Sequence, residues 1–480
     1  MRYIFLVLVF LIPFNGNSQI WKISQHLKCD NDLRILDIKK DINSNIYAAG
    51  IFKGSFNNNL SVGDYDIFIA KLKSDFTIEW VQTVGGVLAE ADPRIIIDNA
   101  NNIFLTGAFQ DSCVFENSSY LKSTGGYDIF LAKYSTNGDL IWTKDIASFL
   151  SVQRPTDIDV DNSNNLIITG HYTDSIYFID QKIVSTGKNN FYAKVDTSGS
   201  KIWIKNIRCS LAASRIANVK VYQNEYYFNG YFRDTMYFDI KTITSNLTGK
   251  QDIFIYKTDI NGNGLWIRRT FGNGLDLTGS IAGDNYGNIY STGYYKSSSV
   301  LFDSTASFKN KNALLNYGSS DIFISKYNKT GTLLWIKRFG DVGEDYGIDI
   351  DVKNNILYIS GYFSGSISFD GLNLYSSGTS DADMFLTSMD LDANTYNCIS
   401  LGGTDGNDLA AGAIVLSSGE VVMSGYFLST IINVGDSIYT NTTVGLRDGV
   451  VAKYLAPLST SYTKKTNPTC YGYTDGELIV

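Results

Sequence analysis

A short element, Asp-Ile-Phe-x-x-Lys, recurs along the 480-residue chain at a nearly constant spacing. Its complete or variant copies begin at Asp66, Asp128, Asn189, Asp252, Asp321, Asp383 and Asp448. In the first five copies a tryptophan follows at the same interval, at Trp80, Trp142, Trp203, Trp266 and Trp335. A regular period of this kind is typical of repeat architectures, in which one small unit is stacked many times.

The third copy indicates what each unit contains. Residues 156–161 alternate between polar and apolar side chains, and residues 165–172, 189–196 and 201–208 follow as further strand-like segments separated by short polar turns. The chain is also rich in aromatic residues (14%) and has 43 glycines but 5 prolines, which favours strands and tight turns. Four antiparallel strands repeated seven times predict an all-β fold, a seven-bladed β-propeller.

Each unit is longer than the roughly 40–45 residues of the commonest propeller blades. We predict that the additional residues form an arm of about twenty residues between strands two and three of each blade. An apolar residue marks this arm in every unit: Phe56, Phe115, Phe178, Phe238, Phe302, Phe369 and Val434.

The first tryptophan predicts how the ring closes. Trp21 precedes Gly50 by nearly the same interval that separates each later tryptophan from the repeated glycine of the following unit. We therefore expect residues 19–25 to supply the last strand of blade seven, which would leave no free sheet edge. All six tryptophans would then occupy structural positions in six of seven equivalent slots, with Asn397 in the seventh.

The N-terminus resembles a secretory signal. Arg2 precedes an apolar run over residues 4–14, which is too short to span a bilayer, and small residues at 16–18 predict cleavage before Gln19. We therefore expect a signal peptide over residues 1–18, a secreted or cell-surface protein, and no membrane insertion after cleavage. The predicted domains are the propeller over residues 19–458 and a linker with the start of another repeat over residues 459–480.

Charge and cysteine content exclude several classes of protein. The formal net charge is −8, without the clusters of Lys and Arg that phosphate binding requires, so nucleic acid is not an expected partner. Five cysteines are scattered without regular spacing, which favours isolated thiols over disulfides or a cysteine metal site: Cys29, Cys113, Cys209, Cys398 and Cys470.

Two segments carry a resemblance to a known family. Residues 401–408 (Leu-Gly-Gly-Thr-Asp-Gly-Asn-Asp) with Ile414, and residues 127–134 (Tyr-Asp-Ile-Phe-Leu-Ala-Lys-Tyr) with Asn137-Gly138 and Trp142, resemble the SBBP-type β-propeller repeat. The resemblance covers roughly residues 19–456 and implies a seven-bladed propeller in an exported bacterial protein. It implies no catalytic residues. The arm ending in Ser-Thr-Gly-Gly at residues 123–126 is similar to arms in surface proteins of gliding bacteria.

The C-terminal segment 467–480 resembles the opening of the SprB-type repeat of large gliding adhesins, with Cys470, Asp475-Gly476 and then an alternating strand. This resemblance implies a role in adhesion and gliding motility. Because the chain stops within that strand, we expect it to be a fragment of a longer adhesin.

The axial mouth of the propeller is the predicted ligand-binding site, since loops converge there on a rigid scaffold. Five acidic residues are expected in the loops that enter the innermost strands: Asp92, Asp157, Asp276, Asp345 and Asp408. Tyr231, Tyr294, Tyr362 and Tyr426 each follow a repeated glycine and could stack on sugars, although packing between blades is the simpler explanation.

No cofactor is expected, and calcium is the one alternative. Asp157, Asp159 and Asp161 alternate along one strand, so their carboxylates share a face that could hold Ca²⁺. We favour an ordinary strand edge for these residues.

Three hypotheses for the function follow. We favour a non-catalytic binding or scaffold module of an exported cell-surface adhesin, whose partner is a cell-surface protein or a glycan. The alternative is a secreted polysaccharide hydrolase or lyase that uses carboxylates at the axial mouth, such as Asp345 or Asp408. An envelope assembly scaffold is disfavoured, because its repeat would be shorter than the one observed in this chain.

Overall fold

Seven antiparallel sheets have four main strands each. In six of them the strands lie in chain order from the axis of the molecule to its outer edge, and in the seventh the N-terminal strand is the outermost. The computed structural model describes residues 21–115, 119–148, 150–210, 214–245, 250–302, 313–378, 381–441 and 445–454. The regular secondary structure of these residues is entirely β-strand. Seven such sheets, or blades, surround one axis, which confirms the predicted seven-bladed β-propeller.

Strand β1 (Trp21–Leu27) precedes the first blade. In blades one to three, the two short strands of each arm lie between the second and third main strands. These blades comprise β2 (Asp32–Lys40), β3 (Ile46–Lys53), β4 (Ser55–Phe56), β5 (Asn59–Leu60), β6 (Asp66–Leu72) and β7 (Ile78–Val84); β8 (Ala91–Ile97), β9 (Ile103–Phe109), β10 (Ser112–Val114), β11 (Tyr120–Lys122), β12 (Asp128–Tyr134) and β13 (Leu140–Ser148); β14 (Gln153–Val160), β15 (Leu166–Thr173), β16 (Ile176–Phe178), β17 (Gln181–Ile183), β18 (Lys188–Val195) and β19 (Lys201–Cys209).

Blades four to seven follow the same order. They comprise β20 (Arg215–Tyr222), β21 (Glu225–Phe232), β22 (Thr235–Tyr237), β23 (Thr242–Thr244), β24 (Asp252–Thr258) and β25 (Gly264–Gly272); β26 (Asp276–Gly283), β27 (Ile289–Tyr295), β28 (Ser299–Phe302), β29 (Ala313–Leu315), β30 (Asp321–Tyr327) and β31 (Leu333–Phe339); β32 (Asp345–Lys353), β33 (Ile356–Ser364), β34 (Ser366–Phe369), β35 (Leu372–Tyr375), β36 (Ala382–Asp390) and β37 (Thr395–Leu401); β38 (Asp408–Val415), β39 (Val421–Phe427), β40 (Ile431–Val434), β41 (Ser437–Thr440) and β42 (Asp448–Tyr454).

The hydrophobic core lies between neighbouring blades. The third strands are apolar on both faces, and β6, β24 and β30 are buried along their whole length. Leu131 of blade two and Ile168 of blade three, for example, belong to one buried cluster. Each blade therefore contributes to two cores, and a blade cannot bury its apolar faces without both neighbours.

The N-terminal strand closes the ring, as predicted. Strand β1 pairs antiparallel with β42 and becomes the outermost strand of blade seven. The innermost strands of blades seven and one, β38 and β2, are also in contact. The ring is thus closed both at the axis and at the periphery.

The predicted position of Trp21 is wrong by two residues. In blades one to five, each outer-strand tryptophan pairs with the lysine of the third strand, as in Trp80–Lys71 and Trp266–Lys257. In blade seven the corresponding Lys453 pairs with Ile23, whereas Trp21 pairs with Tyr454. Trp21 instead donates an indole hydrogen bond to the Ser400 carbonyl of blade six, at 3.2 Å.

The turn of the next blade also differs at this place. A tryptophan ring packs against a glycine in that turn, for instance Trp203 against Gly262 and Trp266 against Gly331, where an added Cβ would lie within 3.0 Å of the ring. Blade one has Phe76 at the equivalent turn position, and it is 1% exposed. Its ring lies 5.9 Å from the Lys453 ammonium. In blade seven, therefore, the aromatic ring beside the third-strand lysine comes from the next blade.

The arms connect each blade to the blade before it. The arm strand β16 of blade three pairs with β13 of blade two, and the arms of blades four and five extend the preceding sheets in the same way. Isolated bridges make comparable links in three other blades, for example between Cys29 and Phe56. The residues that mark the arms are at most 7% exposed. The arms are therefore part of the packed structure between blades.

Three sequence predictions lie outside the described residues: the signal peptide over residues 1–18 with its cleavage before Gln19, the segment 459–480, and Cys470. The four described cysteines are free thiols, as expected: Cys29, Cys113, Cys209 and Cys398. Within the described part of the chain, no helix has the length and apolar character needed to cross a bilayer.

Candidate functional site

Three of the five acidic residues predicted for the mouth are fully buried. Asp276, Asp345 and Asp408 each begin an innermost strand and are 0% exposed. Asp408 accepts hydrogen bonds from the backbone amides of Gly403 and Ser429, and from the Ser429 hydroxyl at 2.8 Å. These carboxyl groups hold the loops that enter the innermost strands. They are not available to a ligand, which corrects the prediction.

The other two acidic residues lie near the axis. Asp92 is half-buried, and its carboxylate forms an ion pair with the Arg154 guanidinium at 2.6 Å. Asp157 lies further along its strand and accepts a hydrogen bond from the Val219 amide of the next blade at 2.9 Å. Asp92 is therefore at the predicted mouth, whereas Asp157 connects two innermost strands.

The predicted calcium ligands have separate partners. Asp159 accepts a hydrogen bond from the Val221 amide at 2.7 Å, parallel to the bond at Asp157. Asp161 accepts amide hydrogen bonds from its own turn and pairs with Lys194 at 2.8 Å. Among the described residues, no group of three or more His, Cys, Asp or Glu side chains is arranged to hold a metal ion. The structure therefore does not assemble the predicted calcium site.

Charged residues of both signs surround the axis below the mouth. Asp37 and Asp349, like Asp157, accept a backbone hydrogen bond from the next innermost strand. Burial alone would lower the pKa of Lys39. The nearby carboxylates of Asp37 and Asp157 have the larger combined effect and raise this pKa above its ordinary value. These charges neutralise one another while they connect the blades.

Carboxyl groups also meet in pairs where one blade passes into the next. Asp321 and Asp345 both lie beside Gly340. A Cβ added to this glycine would be 2.5 Å from one oxygen of Asp321 and 3.0 Å from one oxygen of Asp345. Burial, together with neighbouring negative charge, raises the pKa of Asp345 to about 8. The same causes raise the pKa of Glu90, next to Asp66, to about 9. Two such groups cannot both be ionised without a large cost, so each pair holds a proton near neutral pH.

The mouth itself is lined by two rows of side chains. The residue after each repeated glycine pairs across the sheet with a residue near the start of the innermost strand. Twelve of these fourteen residues are partly exposed, whereas Ala108 and Tyr346 are buried. The seven pairs are Arg34–Ile51, Ala91–Ala108, Arg154–His171, Arg215–Tyr231, Leu277–Tyr294, Tyr346–Tyr362 and Leu409–Tyr426.

Tyrosines occupy one side of this mouth. The Tyr294 and Tyr346 rings meet edge to face with centroids 4.1 Å apart, and Tyr346 stacks on Tyr362 at 4.6 Å. Tyr426 continues the row and lies beneath the Arg447 guanidinium at 5.8 Å. Burial raises the pKa of Tyr294 to about 12, so its phenol is neutral at physiological pH.

Arginines occupy the other side. Arg154 and Arg215 lie near His171, and burial followed by these positive charges lowers the pKa of the His171 imidazole to about 3. Arg34 pairs with Asp32 at 2.9 Å and lies next to Tyr426. Blade two has Ala91 and Ala108 at these positions, so no large side chain continues the row there. We call the arginines and tyrosines of this mouth the mouth crescent: Arg34, Arg154, Arg215, Arg447, Tyr231, Tyr294, Tyr346, Tyr362 and Tyr426.

The sequence indicated the tyrosines but not the arginines. Tyr231, Tyr294, Tyr362 and Tyr426 are half-buried at the mouth, as the stacking hypothesis required, although they also pack on their neighbours. The three arginines of the innermost strands precede the repeated glycines of their blades by almost the same interval: Arg34 before Gly50, Arg154 before Gly170 and Arg215 before Gly230. Aligning the innermost strands of the repeats would have revealed them.

The fold and the mouth together define a seven-bladed β-propeller with a non-repeating surface at its axis. No protein-family model matches the chain, so the SBBP-type and SprB-type resemblances remain predictions. An uncharacterized WD repeat-containing protein of Acanthamoeba polyphaga mimivirus is 23% identical over 331 residues, which cover 62% of this chain. The matched region is 20% of that relative's length.

Solved structures show similar folds. The WD40 β-propeller domain of Doa1 matches with a TM-score of 0.43 and 10% identity, over 92% of this chain and 98% of that domain. A protein of unknown function from Dyadobacter fermentans matches with the same TM-score and identity, over 91% of this chain and 98% of that one. A Trypanosoma rangeli sialidase mutant matches with a TM-score of 0.40 and 9% identity, over 91% of this chain and 60% of that one. These likenesses concern the fold alone.

Proposed function

We propose that this chain is a non-catalytic binding module of an exported bacterial cell-surface adhesin. Support for the binding role comes from the contrast between the repeated and the non-repeated positions. The buried glycine before each mouth position recurs in all seven blades, whereas the mouth positions themselves range from Ala108 to His171 and Tyr362. A residue that the fold requires recurs with the repeat, so the variation at the mouth favours a binding surface on a constant scaffold.

Export and surface attachment are supported by two sequence features, namely the apolar N-terminal run and the adhesin-like C-terminal segment. The hydrolase alternative receives less support. Its proposed carboxylates, Asp345 and Asp408, are 0% exposed and hold loops in place.

The binding of the labelled full chain to intact bacterial cells and to a panel of immobilised cell-surface glycans tests this proposal. We expect saturable binding that falls at least tenfold in the double variant Tyr294→Ala/Tyr362→Ala. The control variant Tyr177→Ala removes a tyrosine that is 46% exposed on an arm, away from the axis, and should bind normally.

Two results would contradict the proposal. The first is that the chain binds none of these cells or glycans, although its circular dichroism and thermal transition show that it is folded. The second is polysaccharide turnover that Asp345→Asn or Asp408→Asn abolishes while the thermal transition is retained.

A further inference from the structure

We propose that the mouth crescent binds a saccharide that carries carboxylate groups, as the uronic acids do. This inference rests on the proposed binding function and specifies its ligand. The argument combines the surplus positive charge on one side of the mouth with the accessible tyrosine rings on the other.

The arginines of the crescent are incompletely neutralised by protein groups. Arg34 and Arg447 share one carboxylate, that of Asp32. Arg154 pairs with Asp92, and Arg215 has no ion-pair partner within the described part of the chain. The local surplus is positive although the whole chain carries a formal net charge of −8. An anion is therefore attracted to this mouth in particular.

The guanidinium groups determine which anions fit. A planar guanidinium donates two parallel hydrogen bonds to a carboxylate, and this geometry selects carboxylates over halide-like point charges. The side chain of Arg34 remains 31% exposed, and that of Arg447 remains 29% exposed. Both retain hydrogen-bond donors that a ligand can reach.

The tyrosines favour a sugar ring as the carrier of the carboxylate. Tyr231, Tyr294, Tyr362 and Tyr426 are half-buried, so part of each side chain is accessible to a ligand. An aromatic face packs against the C–H groups of a pyranose, while a neutral phenol donates to or accepts from the sugar hydroxyls. A simple inorganic anion would use neither feature.

Blade two contributes no arginine or tyrosine to the crescent. Its two positions are Ala91 and Ala108, where the other six blades present at least one large side chain. The row of large side chains is therefore interrupted at blade two, where Ala108 is itself 0% exposed.

Isothermal titration of the full chain with tetragalacturonate, at 50 and 300 mM NaCl, tests the inference. The matched probe is the same tetrasaccharide with its carboxyl groups reduced to alcohols. We expect at least tenfold tighter binding of the acidic form at low salt and a clear loss of affinity at high salt, since the contacts are ion pairs. Sialyllactose and lactose provide a second acidic and neutral pair.

Two variants locate the site. Arg215→Gln removes the unpaired guanidinium and should weaken binding of tetragalacturonate at least tenfold. Arg208→Gln is the control, because Arg208 lies beside Tyr237 at 5.1 Å on the outer strand of blade three, away from the mouth. Arg208→Gln should bind as the unmodified chain does. A thermal transition for each variant confirms that it is folded.

The inference is overturned by equal affinity for the acidic and neutral tetrasaccharides, by no binding of either acidic probe, or by equal losses in Arg215→Gln and Arg208→Gln. If the chain still binds cells while these outcomes are observed, the proposed binding function stands and only the ligand chemistry is wrong. If binding to cells is also absent, both proposals fail.

Discussion

At the scale of single residues, the acid pairs at the blade junctions are the least expected feature of the fold. Glu90 is 1% exposed, and one oxygen of its carboxyl group accepts the Gly86 amide hydrogen at 3.0 Å. The other oxygen has no hydrogen-bond partner among the described residues, and neither has one oxygen of the adjacent Asp66. A proton shared between the two groups would satisfy both oxygens.

This pair makes stability depend on pH. Burial and the charge of Asp66 raise the pKa of Glu90 from 4.5 to about 9, so the folded chain retains a proton that the unfolded chain releases. The stabilisation is complete below about pH 4.5 and is lost as the pH rises toward 9. Glu90→Gln keeps a donor at this position without titrating. We expect it to be more stable than the unmodified chain at pH 9, by about 2 kcal/mol.

Urea unfolding at pH 5, 7 and 9 measures this difference. The control variant Asp436→Asn alters an exposed carboxylate on the arm of blade seven and should leave the pH dependence unchanged. A pH dependence in Glu90→Gln equal to that of the unmodified chain would show that the pair does not hold the proton.

At the scale of elements, the arms connect neighbouring blades in addition to the shared core and the innermost strands. Phe178 lies on the arm of blade three, pairs with Ala147 of blade two, and packs with its ring 5.6 Å from that of Phe191. One arm residue thus contacts both sheets. The arm, which lengthens each repeat, therefore connects two neighbouring blades.

Truncation of Phe178 tests the contribution of the arm. We expect Phe178→Ala to reduce the free energy of unfolding by about 3–5 kcal/mol, because it leaves a cavity between two blades. Tyr177→Ala alters the adjacent residue, which is 46% exposed, and should cost less than about 1 kcal/mol. Chemical denaturation followed by tryptophan fluorescence measures both. Equal and small losses would mean that the arm adds little to the packing of the blades.

At the scale of the whole molecule, one short strand determines whether the ring is closed. Strand β1 pairs along its full length with β42, and Leu27 at its end is fully buried. Without β1, the edge of β42 would be exposed to other chains. His26 would also no longer contact Asp448, a pair joined at 2.8 Å.

A chain that begins at residue 28 tests the closure. We expect a lower thermal midpoint and self-association, measured by circular dichroism and by light scattering after size exclusion. An excess of a synthetic peptide covering residues 19–27 should reverse both effects by binding at the open edge. The same peptide with Leu27→Asp should not, since it would bury a charge. An unchanged midpoint in the shortened chain would refute the closing role of β1.

The sequence alone predicts several features of the propeller: the number of blades, the four strands in each, the presence of an arm, and the use of the N-terminal segment to close the ring. These features are encoded locally and repeated, so the same spacing of Asp, Trp and Gly occurs in copy after copy. The tyrosines of the mouth could be identified for the same reason, because they follow a repeated glycine.

Other features depend on the meeting of different repeats, and these emerged from the folded ring. Trp21 lies two residues from its expected slot, and the ring beside Lys453 is that of Phe76 from another blade. Asp276, Asp345 and Asp408 are buried, and their carboxyl groups accept hydrogen bonds from the loops around them. The arginines and tyrosines of the mouth crescent come from six blades, and most of them stand at repeated positions, but the contacts among them join different repeats. Contacts of this kind occur once in the molecule, so no internal repetition reveals them, and they form only when the ring closes.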